Sequence, residues 1–235
     1  MKTILHRAET RGYANHGWLD THHTFSFAGY YNPERVNFGA LRVLNDDIVD
    51  GGMGFGTHPH ENMEIISIPL EGALEHKDSM GNTHAIKVND VQVMSAGTGL
   101  LHSEYNHYKD RSVNFLQIWV FPYVKDVEPR YEQITYSPEG RKNQWQQIVS
   151  SSEEKKGLWI YQDVRFYLSD MDADITLTHS IKSLNHGVYL FLIDGEIIVN
   201  GEVLKKRDGI GITETPDLVI IAQKKSRVLL LEVPV

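Results

Sequence analysis

Short segments in which apolar and polar residues alternate recur along the first half of the chain. A period of two is typical of strands, because successive side chains point to opposite faces of a sheet. The candidate strands are residues 24–28, 39–44, 63–70, 73–78, 91–94 and 113–121. Turn-forming sequences are found at residues 45–47, 71–72, 79–82 and 89–90. Short strands with closely spaced turns predict an all-β fold, either a barrel or a sandwich.

The second half of the chain repeats the pattern of the first in weaker form. Residues 192–197 resemble residues 69–74, and residues 207–212 resemble residues 89–94, which indicates two similar β-units in tandem. A proline-marked connection and a polar stretch lie between the two units, and a short helix is expected there at residues 144–149. The predicted domains are residues 1–136 and residues 137–235.

Two pairs of polar residues in the first unit have the spacing of a metal site. His58 and His60 follow one glycine-rich segment, and His102 and Glu104 follow another. Within each pair, both side chains point to the same face of a strand. One His-x-His is a weak signal in a chain with 12 histidines, so the prediction depends on the joint pattern. Three imidazoles and one carboxylate suit iron, nickel, copper or zinc better than calcium or magnesium, and one mononuclear metal site is predicted.

The second unit lacks these ligands. Aligning the two halves on their shared turns puts Ile181, Ser183 and Ile220 at the positions of the first unit's histidines. His179 and His186 lie nearby, but neither has a second ligand two residues away. We therefore predict that both are structural or exposed, and that all metal binds in the N-terminal half.

Glu64 is a candidate hydrogen-bond partner of a ligand histidine. It shares the strand parity of the two preceding histidines, as do Ile66 and Ile68, so an unbroken strand would continue the metal face into an apolar interior. Glu64 would then accept a hydrogen bond from a ligand histidine and fix its tautomer. The alternative is an ordinary surface glutamate at the end of a strand.

Composition limits the classes of function. The net charge of −8 at pH 7 argues against binding to nucleic acid or to an anionic membrane surface. The chain has no cysteine, which excludes disulfides and thiolate metal sites. No apolar run is long enough to cross a bilayer, and no secretory signal is recognisable, so a soluble cytoplasmic protein is predicted.

Three motifs resemble the pirin branch of the cupins. They are His-Pro-His-Glu-Asn-Met-Glu at residues 58–64, Ser-Ala-Gly-Thr-Gly-Leu-Leu-His-Ser-Glu at residues 95–104, and Asn-His-Gly-Trp-Leu-Asp at residues 15–20. Ser95 stands where most cupins have proline and His102 falls two residues late, and both departures match pirins. The resemblance implies a bicupin, that is, two tandem jelly-roll-type β-barrels. It also implies that the N-terminal barrel binds one divalent metal, usually iron, with nickel, copper, manganese, cobalt and zinc as alternatives.

The resemblance is closest to short bacterial pirins, some of which are quercetin 2,3-dioxygenases. It implies a planar aromatic substrate, and the opening of a flavonol heterocycle by O2 with release of carbon monoxide. A ligand carboxylate that leaves the metal can take a proton, so Glu104 is the predicted base for the flavonol 3-hydroxyl. Two alternatives stay open: a metal-bearing regulatory or redox-sensing protein that acts through a partner, and a cupin isomerase or hydrolase. We expect a monomer.

Overall fold

The computed structural model describes residues 1–235 and contains almost only β-strands, which confirms the predicted fold class. The only helical segments are two 3-10 turns, Ala8–Thr10 and Pro138–Arg141. The strands up to the middle of the chain are β1 Lys2–His6, β2 Gly12–Asn15, β3 Leu19–His23, β4 Leu41–Val49, β5 Gly54–His60, β6 Glu64–Glu71, β7 Ala73–Asp78, β8 Thr83–Lys87, β9 Asp90–Ser95, β10 Leu100–Asn106, β11 Val113–Val120 and β12 Arg130–Thr135. The remaining strands are β13 Gln146–Ser151, β14 Leu158–Ile160, β15 Arg165–Met171, β16 Thr176–Ser180, β17 His186–Asp194, β18 Glu196–Val199, β19 Glu202–Lys205, β20 Gly209–Thr213, β21 Asp217–Ala222 and β22 Ser226–Pro234.

The N-terminal barrel consists of two antiparallel sheets. One has seven strands in the order β12-β9-β6-β11-β4-β3-β2, and the other has four in the order β5-β10-β7-β8. Val49 and Phe115 of the larger sheet share a buried cluster with Leu74 and Ile86 of the smaller one, so the two sheets pack face to face. Apolar residues fill only part of this barrel, since several polar side chains are also buried inside it.

The C-terminal barrel repeats this architecture. Its seven-stranded sheet has the order β1-β20-β17-β22-β15-β13-β14, and its four-stranded sheet the order β16-β21-β18-β19. Its interior is a continuous apolar cluster of 14 buried residues. Strand β1 comes from the other end of the chain and pairs with β20, from Lys2 opposite Thr213 to His6 opposite Gly209. We propose that the domain boundary predicted near residue 136 lies in the connection between β12 and β13, with β1 crossing it.

The largest core lies between the two barrels rather than inside either of them. Residues of the two seven-stranded sheets, with Phe25, Phe38 and Val164 from the connecting segments, form one cluster of 24 buried residues. Ile66 and Ile68 of β6 belong to this cluster, together with Leu229 and Leu231 of β22. The prediction that the metal face continues through Ile66 and Ile68 is therefore wrong. Strands β5 and β6 belong to different sheets, so side-chain parity is not carried through the bend that joins them.

Three local predictions are also wrong. Residues 144–149 do not form a helix, because residues 146–151 are strand β13, where pairing with β14 and β15 and two β-branched residues favour extended backbone. Residues 45–47 are not a turn but the middle of β4, paired on both sides. Residues 24–28 form no strand, and Ala28 has a φ of +48°, which ends any extended run.

No helix in the structure has the length and apolar character needed to span a membrane.

Candidate metal centre

The three predicted histidines meet where β5 pairs with β10. The antiparallel register sets His102 opposite His58, and His60 follows on the same face of β5. The ring centroids of His58 and His102 are 4.4 Å apart, and those of His60 and His102 are 4.9 Å apart. One nitrogen from each ring lies within 4.8 Å of the other two. This geometry suits a single metal ion.

A shift in the strand register prepares His58 to ligate through Nε2. Between His102 and Glu104 the pairing slips, so that Glu104 lies opposite Phe55. The carbonyl of Gly56, in the displaced part of β5, lies 2.8 Å from Nδ1 of His58. A carbonyl only accepts hydrogen bonds, so Nδ1 carries the proton and Nε2 keeps its lone pair. Irregularities of this kind often re-aim side chains beside functional sites.

The other two histidines have buried nitrogen atoms without partners. The Nε2 atoms of His60 and His102 are inaccessible to solvent and make no hydrogen bond. An unsatisfied buried polar atom costs about 1–3 kcal/mol, which a bound ion would remove. Burial and, to a smaller extent, repulsion from the His58 ring lower the pKa of His60 to about 4. Burial and repulsion from the neighbouring histidine rings lower the pKa of His102 to about 2. Both rings are therefore neutral at pH 7, the form that binds metal.

Glu104 lies beside His102 on the inner wall of the barrel. Its carboxylate accepts hydrogen bonds from Ser67 Oγ at 3.1 Å and from Gln117 Nε2 at 2.9 Å. Burial raises its pKa to about 7. Potential ligand atoms of Glu104, His102 and His76 lie within 4.8 Å of one another, in a group that overlaps the three-histidine group at His102.

His76 is a site residue that the sequence reasoning missed. It lies on β7, opposite Glu104 of β10, and is completely buried. Its Nδ1 is 3.5 Å from Nδ1 of His102, and its Nε2 is 3.0 Å from the carboxylate of Asp78. The available signal was a His-x-Asp pair in a predicted strand, which places both side chains on one face.

Glu64 faces away from the metal centre. Its carboxylate accepts a hydrogen bond from Ser95 Oγ at 2.7 Å, and it is 1% exposed, so it is not a surface residue. Burial raises its pKa to about 7, although Ser95, the Tyr161 backbone and Arg130 all favour the charged form. Tyr161 belongs to the C-terminal half, so Glu64 is a buried carboxyl group between the barrels. The structure gives it no hydrogen bond to His58, His60 or His102.

A small aromatic cavity adjoins the histidines inside the barrel. It measures about 70 Å³ and is lined on its apolar side by Phe27, Phe55, Phe115 and Trp119. Its polar lining consists of Asn45, Asp47, His58, Glu104 and Gln117. Ligand pockets usually measure about 300–1,000 Å³, so a three-ring molecule requires this cavity to widen. A more open cleft of about 540 Å³ reaches His60 from outside.

The polar end of the cavity is formed by residues of β4 that the sequence predicted to be a turn. Asn45 and Asp47 are two residues apart on β4, so both point into the barrel. Asn45 lies 3.0 Å from His23 Nδ1, and Asp47 accepts a hydrogen bond from the hydroxyl of Thr21. Burial raises the pKa of Asp47 to about 7. A buried polar cluster therefore replaces the expected solvent-exposed turn.

In the C-terminal barrel, His179 and His186 have a structural role. Their rings lie 2.8 Å and 3.1 Å from the two oxygens of Glu232, which is completely buried. Arg165 approaches the same carboxylate at 3.4 Å. Ile220, aligned with His102, lies in the apolar core.

Comparison with known proteins places these features in a family. The family model described as Pirin matches residues 5–120, and the one described as Quercetinase C-terminal cupin domain matches residues 147–233. A quercetin 2,3-dioxygenase of Escherichia coli (strain K12) is 42% identical over 231 residues, which cover 98% of each chain. A pirin-like protein of Caulobacter vibrioides is 37% identical and covers 94% of this chain and 95% of its own. The crystal structure of the bacterial pirin YhhW from Escherichia coli in complex with nickel(II) superposes with a TM-score of 0.94, at 39% identity over 99% of each chain.

Proposed function

Because this chain belongs to the pirin family of bicupins, we propose that it is a metal-dependent dioxygenase that opens the heterocycle of a flavonol such as quercetin with O2 and releases carbon monoxide. The convergence of His58, His60 and His102 beside a buried carboxyl group and an aromatic cavity is the observation that carries this proposal. The relatives named quercetin 2,3-dioxygenase support the choice of reaction and substrate class.

The proposed metal ligands are His58, His60, His102 and Glu104. The donors fit one divalent transition metal, because two of the imidazoles present buried Nε2 atoms that have no other partner. Iron is our first expectation, and the nickel(II) complex of the related YhhW makes nickel the main alternative. A carboxylate has about four acceptor positions, so Glu104 can ligate while it keeps hydrogen bonds from Ser67 and Gln117.

Glu104 is the proposed general base. A bound metal would supply a Lewis-acid centre that acidifies the flavonol 3-hydroxyl and mediates electron transfer between substrate and O2. The pKa of about 7 that burial gives Glu104 suits a group that must accept that hydroxyl proton near neutral pH. Hydrogen bonds from Ser67 and Gln117 hold the carboxylate in place for the transfer.

The aromatic cavity is the proposed binding place for the planar rings. Phe27, Phe55, Phe115 and Trp119 offer faces and edges against which an aromatic ring can stack, and they keep bulk water from the metal. The cavity has to widen for a flavonol, and of its four aromatic side chains only Phe27 lies outside the strands, in a turn closed by two backbone hydrogen bonds with Tyr30. The metal-loaded protein should therefore consume O2 only when a flavonol is present.

Substitution of Glu104 tests the proposed chemistry. Glu104→Gln keeps an oxygen for the metal but cannot accept a proton at neutral pH, so turnover of quercetin should fall by about 100-fold or more while part of the metal is retained. The assay follows quercetin absorbance, O2 uptake and carbon monoxide in metal-loaded protein. Glu75→Gln, on the neighbouring strand β7, is the matched control and should leave turnover unchanged. His60→Ala should lose metal and turnover together.

Wild-type turnover by Glu104→Gln would show that Glu104 is at most a ligand. If wild-type protein with one metal ion per chain turned over no flavonol, a regulatory or redox-sensing metalloprotein would become the better assignment.

A further inference from the structure

A chain of three side chains runs from the metal centre to the end of strand β7 in the small sheet. Nδ1 of His102 lies 3.5 Å from Nδ1 of His76, and Nε2 of His76 lies 3.0 Å from Oδ2 of Asp78. His76 and Asp78 point to the same side of β7, and the side chains of both are fully buried. None of the motifs used to recognise the metal site includes either residue.

The hydrogen-bonding capacities of these groups leave only one arrangement of protons. A neutral imidazole carries one N–H, and the facing Nδ1 atoms of His76 and His102 need one donor and one acceptor between them. Asp78 accepts the backbone N–H groups of Met80 and Asn82 and the side-chain amide of Asn82, so its carboxylate acts as an acceptor. Nε2 of His76 must then be the donor to Asp78, and Nδ1 of His76 is an acceptor. The proton between the two histidines therefore belongs to Nδ1 of His102.

We propose that His76 and Asp78 are positioning residues that fix the tautomer and orientation of His102, so that its Nε2 lone pair points at the metal. The proposal rests on the metal site described under the proposed function. It extends that site by a second imidazole, because the usual partner of a ligand histidine is a carboxylate, a backbone carbonyl or water. The unpartnered Nε2 of His102 is the independent observation that agrees with it.

Asp78 is itself held so that its two oxygens cannot exchange roles. Oδ1 accepts the backbone N–H groups of Met80 and Asn82, at 2.9 Å and 3.0 Å. Oδ2 accepts Nδ2 of Asn82 at 2.8 Å in addition to His76. In Asp78→Asn the single oxygen is needed by the two backbone donors, so the new amide group faces His76. His76 must then accept there and donate toward His102, which moves the proton of His102 to Nε2 and blocks ligation.

The experiment measures Co2+ affinity of the purified full-length chain at pH 7 by competition with a chromogenic chelator. Asp78→Asn should weaken binding by about 10–100-fold, the usual effect of losing a partner of a ligand histidine. Glu75→Gln is the matched control: it neutralises a carboxylate on the same strand whose histidine partner, His107, does not touch a ligand. The control should bind Co2+ as the wild type does.

Two substitutions of His76 separate positioning from packing and from direct ligation. His76→Leu removes the acceptor and should weaken binding by about 10–100-fold, whereas the amide oxygen of His76→Gln should recover most of that loss. The Co2+ absorption bands of His76→Gln should keep their wild-type positions, because the ligand set is unchanged.

The proposal is overturned if Asp78→Asn binds Co2+ as tightly as the wild type, or if His76→Gln binds no better than His76→Leu. Displaced absorption bands in His76→Gln would make His76 a ligand and would also overturn it. A wild-type protein that bound no Co2+ would be a different failure, since the metal site itself would then be wrong.

Discussion

Glu64→Gln should stabilise the protein at alkaline pH and leave its stability at acid pH nearly unchanged. Glu64 is buried between the two barrels, and burial raises its pKa from the ordinary 4.5 to about 7. The folded protein therefore keeps a proton on Glu64 between these two pH values, whereas the unfolded chain has lost it. Where the folded state binds more protons, the free energy of unfolding falls as pH rises.

The size of the effect follows from the difference in pKa. Each pH unit of difference corresponds to 1.36 kcal/mol, so the full effect is about 3 kcal/mol and is complete above pH 7. Relaxation around the charged group will reduce it, and we expect Glu64→Gln to gain about 1–3 kcal/mol at pH 8.5 and less than about 1 kcal/mol at pH 5. The hydroxyl of Ser95 can donate to glutamine or accept from it, so the substitution leaves no unpaired group there.

The assay is urea unfolding of metal-free protein at both pH values. Glu71→Gln, at the exposed end of the same strand, is the matched control and should change stability by less than about 0.5 kcal/mol at either pH. An equal difference between Glu64→Gln and wild type at pH 5 and pH 8.5 would refute the reasoning. A loss of stability at pH 8.5 would show that Glu64 is ionised and well stabilised.

Three further predictions concern the metal and the C-terminal barrel. Elemental analysis should find about one transition-metal ion per chain, lost in His58→Ala and kept in His179→Ala; two ions per chain would contradict the site. Metal must displace the proton that Glu104 holds below pH 7, so metal affinity should fall by up to about tenfold per pH unit between pH 7 and pH 5. In Glu104→Gln, the number of protons released on metal binding should be smaller by about one. Glu232→Gln should lower the free energy of unfolding by about 1–3 kcal/mol, because it removes one of the two carboxylate oxygens that the buried rings of His179 and His186 contact, while metal content stays unchanged.

The metal centre was predictable because it depends on local geometry. The two-residue spacing within each pair puts both side chains on one face of a strand, whichever sheet that strand joins. For His58, His60 and His102 the structure confirms that this parity and the pairing of β5 with β10 bring the rings together. Coordination by Glu104 stays a prediction. The repeat of turn sequences likewise predicted the second barrel, because each barrel reuses the same succession of strands.

The remaining errors concern side chains whose neighbours are set by pairing between strands that are distant in the sequence. The bend between β5 and β6 reversed the expected face of Glu64, and nothing in the local sequence encodes that change of sheet. His76 was missed because it reaches His102 only through the pairing of β7 with β10. Asn45 and Asp47 suggested a turn because such residues usually lie in solvent, whereas here they face a polar cavity.

The pairing of β1 with β20 has a consequence for how the protein is made. The first strand leaves the ribosome early, but its partner, Gly209–Thr213, is synthesised some two hundred residues later. His6 and Arg7 also contact residues that are synthesised much later. His6 lies 2.9 Å from the hydroxyl of Tyr189, and Arg7 pairs with Asp208. Strand β1 therefore has no partner until β20 has been synthesised. A gene cut at the linker would therefore yield a second half in which β20 has an open edge.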